Sequence, residues 1–95
     1  MVLAGRFDLR LPGTRSLKDK RARIRPIVDR VRHRHHLSVA EVDRQDDLGR
    51  AVIEVAVVAS SPGHATEVLD GIERLVWSAE GVEVISVGRF WLEAD

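Results

Sequence analysis

The chain has 95 residues, of which 15 are Lys or Arg, 15 are Asp or Glu and none is Cys. That length fits one domain over residues 1–95 with a core that needs no staples, and the lack of thiols excludes a disulfide framework, a thiolate zinc site and a Cys nucleophile. Met1 to Arg6 meets a charge too early for a signal peptide, and no apolar run reaches the roughly 20 residues of a membrane span, so the expected location is cytoplasmic.

Leu3, Gly5, Phe7, Leu9 and Leu11 alternate with Ala4, Arg6, Asp8 and Arg10, the period-two pattern of a strand with one buried face. Pro12-Gly13 breaks it. Ser16 fits an N-cap, with Asp19 three residues on to return the hydrogen bond, so a helix is expected from there to about His35-His36. Its apolar stripe is Leu17, Ile24, Ile27, Val28 and Val31, with Lys18, Arg23, Arg25 and Arg30 turned away. Pro26 falls opposite the stripe, where a kink leaves the helix continuous and water can satisfy the carbonyl of Ala22; the alternative is two helical pieces. Lys20 lies near the stripe and is expected to pack its stem on the core edge while its ammonium reaches solvent.

Leu37 to Asp43 reads as an edge strand and Arg44 to Gly49 as a polar turn. Ala51 to Ser60 is apolar on both faces except at Glu54, as in a central strand. Ser61-Pro62 opens a second helix whose stripe is Ala65, Val68, Leu69, Ile72, Leu75 and Val76, with Gly81 as terminator. Val82 to Leu92 is the last strand. The order βαββαβ gives an α+β domain, a four-stranded antiparallel sheet with two helices on one face, in which strands one and three are central.

The motifs Ser16-Leu17-Lys18-Asp19-Lys20-Arg21 and Ser38-Val39-Ala40-Glu41-Val42-Asp43, followed by Gln45-Asp46, resemble the YlxP-like family of short bacterial proteins of unknown function. The resemblance implies a ferredoxin-like fold, in agreement with the element order, and a gene setting near translation initiation and ribosome maturation. It brings no catalytic residues. An aromatic usual in the turn after Gln45-Asp46 is replaced here by Leu48.

Zero net charge conceals a division. Residues 1–50 hold 13 basic and 7 acidic side chains, a charge of +6, while residues 51–95 hold 2 and 8, a charge of −6. From Arg15 to Arg34 nine cations face only Asp19 and Asp29, which is +7. Such density on one helix and its entry loop is the footprint of an anionic partner, although a solvated helix face is the plainer reading. The leading expectation is a non-enzymatic domain that binds structured RNA, in a ribosomal setting, through phosphate contacts from Arg15, Lys18, Arg21, Arg23, Arg25 and Arg30. The loop Pro12 to Ser16 also offers a helix N-terminus to a phosphate, but it lacks the nucleotide-cradle pattern.

The sheet offers the alternative. Val52, Val58, Ile85, Val87 and Trp91 are expected on the open face, where they would form a homodimer, protein-docking or small-ligand surface. Phe7 and Phe90 are expected to alternate toward the core, so the open face has no ring pair for stacking single-stranded bases. No cofactor or metal is expected. His33, His35 and His36 crowd the helix end beside repelling Arg32 and Arg34, and Glu41, Asp43, Asp46 and Asp47 read as a charged edge and turn as readily as a weak Mg²⁺ site. Acylphosphatase chemistry, known on this fold, uses an asparagine to orient water, and the chain contains none.

Overall fold

A computed structural model describes residues 1–35 and 37–92. The elements follow in the order β1 (Val2–Arg10), α1 (Leu17–His35), β2 (Ser38–Asp43), β3 (Arg50–Val58), α2 (Pro62–Trp77) and β4 (Glu83–Leu92). The strands form one antiparallel sheet in the order β2-β3-β1-β4, so β1 and β3 are central and the fold is the ferredoxin-like α+β arrangement. None of the described helices is long and apolar enough to cross a membrane.

The register fixes the faces. Leu3, Gly5, Phe7 and Leu9 stand opposite Val57, Val55, Ile53 and Ala51, and these residues form the floor on which the helices lie. From α1 come Ile24, Ile27 and Val31; from α2, Ala65, Leu69, Ile72, Leu75 and Val76. Gly5 is where α2 comes nearest, since a Cβ there would stand 2.7 Å from Leu69 Cδ1.

Both helix starts follow the capping signals. Ser16 Oγ accepts from Asp19 N–H at 3.1 Å, while the Asp19 carboxylate accepts from the Arg15 N–H at 3.2 Å; the returned bond thus goes one residue further back than Ser16. Ser61 Oγ accepts from His64 N–H, with Pro62 in the first turn. α1 passes through Pro26 unbroken. α2 stops at Trp77 and is capped by Ser78, whose N–H reaches Arg74 O, so Gly81 does not terminate it. Gly81 instead takes a φ of 75° in the turn into β4, a backbone region closed to most side chains.

Two bulges bend the sheet edges, one in β2 between Glu41 and Asp43 and one in β4 opposite Asp8 and Leu9. The second is decisive for side-chain direction. Beyond it Val87 pairs with Phe7 and Trp91 with Leu3, whereas Phe90 pairs with Ala4 and Leu92 with Val2. Val87 and Trp91 therefore lie on the helix-covered side. Phe90 and Leu92 lie on the open face, the reverse of the sequence expectation.

Candidate functional site

The basic window covers both flanks of α1, with Arg30 on the side turned to α2, beside Leu75, Ser78, Ala79 and Glu80. Arg15, Lys18, Arg21, Arg25 and Arg30 are all exposed, and none has an ion-pair partner among the described residues. Lys18, Arg21 and Arg25 line a shallow depression on the outer side of α1 together with Ala22, Pro26 and Asp29. Spacings of three and four residues place these three cations along one helix face, and Arg32 continues it, lining an adjoining groove toward β2.

The cations of the sheet behave differently. Arg6 pairs with Glu54 and Asp43, Arg10 with Glu83, Arg50 with Asp8, and Arg89 with Asp70 and Glu73. The Arg50–Asp8 pair is a double contact at 2.8 Å. Every basic residue of the strands is thus paired from within, and apart from Arg74 of α2 the Lys and Arg side chains without an ion-pair partner among the described residues lie on α1 and its entry loop.

Arg23 departs from its expected role. Its guanidinium donates to the carbonyls of Pro12 and Gly81, the latter at 3.0 Å. It ties the β1–α1 loop to the α2–β4 turn, with both bonds made by Nη1. The entry loop is likewise tied down: the single hydroxyl proton of Thr14 lies between the carbonyls of Leu11 and of Leu48 in the β2–β3 turn, and Asp19 already occupies the Arg15 N–H. An anion at this helix N-terminus would have to compete with that carboxylate.

Lys20 is the largest departure. Only 3% of its side chain is exposed, and Nζ donates to Arg44 O at 2.6 Å and lies 3.4 Å from Gln45 O and 2.8 Å from Glu41 Oε2. Instead of reaching solvent, the ammonium is caged under the β2–β3 turn. Glu41 Oε2 is itself shut away and meets Nζ off the hydrogen-bonding direction, so this contact is ionic. Arg44 holds a φ of 57°, unusual for a residue with a Cβ, and Asp43 Oδ1 accepts its N–H at 2.8 Å. No sequence periodicity signals this cage, but pairing the two motifs, Ser16–Arg21 and Ser38–Asp46, leads to it.

The acidic turn is equally committed. Asp47 Oδ1 accepts the Gly49 N–H at 2.8 Å, and Oδ2 accepts from Nη1 of the Arg44 guanidinium at 3.3 Å. The Gly49 bond, aided by Arg44 and Lys20 and opposed by partial desolvation, holds the Asp47 carboxyl below the usual carboxylate range. Among the described residues no group of three His, Asp or Glu side chains is arranged to hold a metal; of the histidines at the end of α1, His36 lies outside them.

The expected open-face patch is redrawn. Val52 faces that side but is 3% exposed beneath its charged neighbours. Val87 and Trp91 belong to the other face, and Ile85 sits at the β4 bulge. Only Val58, at 73% exposure, has the expected position and accessibility. It joins Phe90 and Leu92, so the open face carries one aromatic ring, at the edge strand.

Comparison with known proteins adds a family and no activity. No curated protein matches the sequence. Among solved structures, a de novo designed protein, Ferredog-Diesel, aligns over 90% of this chain and 85% of its own with 14% identity and a TM-score of 0.48. A model of a family of proteins of unknown function, DUF503, matches residues 2–89, and the chain belongs to that family.

Proposed function

We propose that the exposed surface of α1 and its entry loop binds structured RNA in the cytoplasm by its phosphates, with Arg15, Lys18, Arg21, Arg25 and Arg30 as the contacts, and that the protein acts as a binding domain in a ribosomal or translational setting. One observation carries the reading: the cations of the strands are each matched by an internal carboxylate, while these five have none. A protein that only needed a solvated helix would not require so one-sided a surface. The 19-residue helix is about 28 Å long, enough to follow several phosphates along a groove. Arg23 is left out of the contact set because the bonds of its Nη1 to Pro12 and Gly81 hold the guanidinium against the loop and turn.

Contacts of this kind fix position and discriminate little among sequences. The resemblance of the two motifs to YlxP-like proteins, with their translational gene setting, supports ribosomal RNA as the kind of partner. The test is titration of a folded RNA at several salt concentrations. Five phosphate contacts correspond to a log–log slope of about −4, and Arg21→Ala or Arg25→Ala should each flatten it by about one. Micromolar or weaker binding with a flat slope would reject the proposal.

A further inference from the structure

The two edges of the sheet are built differently. β2 is short and bulged, and carries Glu41 and Asp43. Two of its carbonyls have side-chain partners: Arg32 Nη2 donates to Val39 O at 3.3 Å, and Gln45 Nε2 lies 3.5 Å from Glu41 O. Charges, bulges and covering groups of this sort keep an edge strand from pairing with another chain. β4 has ten residues; its own bulge lies near its start, leaving Ser86 to Leu92 in unbroken register, and among the described residues no strand or side chain covers its outer edge.

Apolar surface gathers on that same flank. Ile85, Phe90, Trp91 and Leu92 are 47%, 40%, 45% and 49% exposed, and Trp77 of α2 is 60% exposed. Trp77 follows Glu73 by one helical turn, and Glu73 reaches Arg89 of β4, so the indole lies on the β4 side of α2. Three of the chain's four aromatics are therefore exposed along one edge, and aromatic residues are enriched in the cores of protein interfaces.

We infer that β4 pairs antiparallel with β4 of a second copy, forming a continuous eight-stranded sheet. A strand is complementary to an antiparallel copy of itself about a two-fold axis, and both copies supply a strand of equal length. With aromatic side chains of about 150–250 Å², the three rings leave roughly 300 Å² accessible per copy; with Ile85, Leu92 and the strand backbone, two copies offer at most about 1,000 Å² for burial, which reaches the lower bound for a specific interface. Arg89 bonds Asp70 at 2.7 Å and Glu73 at 3.4 Å, so a cation accompanies the carboxylates that α2 brings to the seam. A two-fold axis perpendicular to the sheet leaves both helix layers on one face, with the α2 helices at the centre and the basic α1 helices outermost.

Sedimentation equilibrium of the wild type, Trp91→Lys and Val58→Lys tests this pairing without reference to RNA. Both substituted positions are exposed in the single chain, and circular dichroism checks that each variant folds. The wild type is expected at twice its 10.6 kDa mass, Trp91→Lys as a monomer, and Val58→Lys, which changes the open face away from β4, as a dimer. A monomeric wild type, a dimer that survives Trp91→Lys, or one lost in Val58→Lys would each overturn the inference.

Discussion

Lys20 Nζ stands 2.8 Å from Glu41 Oε2 and 2.6 Å from Arg44 O, so a buried ammonium from α1 anchors the edge strand and the turn that follows it. A lysine so enclosed is tolerated because its donors face oxygen on each side. Removing one member of such a pair strands the other. Since Glu41 is about one-quarter exposed, the loss falls below that of a fully enclosed pair, and Lys20→Met is expected to cost about 2–3 kcal/mol in urea unfolding. The double variant Lys20→Met, Glu41→Leu should recover much of this. Strict additivity of the two single changes would show that the pair is not coupled.

That cage marks the limit of what periodicity reveals. Helical spacing correctly assigns Ile24, Ile27 and Val31 to the core, and it places Lys20 beside them; it says nothing of the carbonyls of Arg44 and Gln45, which arrive from 24 and 25 residues away. The same holds for Arg23, outward by pattern yet held by Pro12 and Gly81. The element order and central strands are legible because alternation and turn residues are local signals. The direction of Trp91 is not, because one bulge opposite Asp8 and Leu9 reverses every side chain beyond it. The basic surface was legible as charge density, whereas its lack of internal partners depends on where Glu54, Glu83, Asp70 and Glu73 end up.

Gly81 and Arg23 restrain one another. Gly81 has a φ of 75°, and a Cβ on it would come within 3.0 Å of Arg23 Cδ. Gly81→Ala is expected to destabilise by about 1–2 kcal/mol from the backbone alone, with an added steric part. In an Arg23→Ala background the steric part should disappear and the backbone part remain. Equal effects of Gly81→Ala in both backgrounds, measured by chemical denaturation, would count against the close packing.

Asp29 is the carboxylate lining the same depression as Lys18, Arg21 and Arg25. It has no ion-pair partner among the described residues, so its charge subtracts from the surface offered to phosphates. Asp29→Asn should tighten binding of folded RNA about two- to fivefold at low salt, corresponding to about 0.4–1 kcal/mol, within the range of an exposed charge interaction, and the gain should shrink as salt rises. Unchanged or weaker binding in a folded variant would place the RNA elsewhere.

Asp47 gives the β2–β3 turn a dependence on pH. Its carboxyl is held below the usual carboxylate range first by the Gly49 N–H and then by Arg44, so the folded state favours the ionised form. The stabilisation is present above the ordinary Asp range and is lost as pH falls through the lower folded-state value. The Gly49 amide resonance, followed by NMR during acid titration, should report a midpoint below that of an ordinary Asp. Arg44→Ala should raise the midpoint without restoring the ordinary value, because the Gly49 bond persists. Asp47→Asn should abolish the titration while its side-chain oxygen still accepts from Gly49, leaving the turn intact. A midpoint at or above the ordinary Asp value, or one unmoved by Arg44→Ala, would mean that these two contacts do not control the carboxyl.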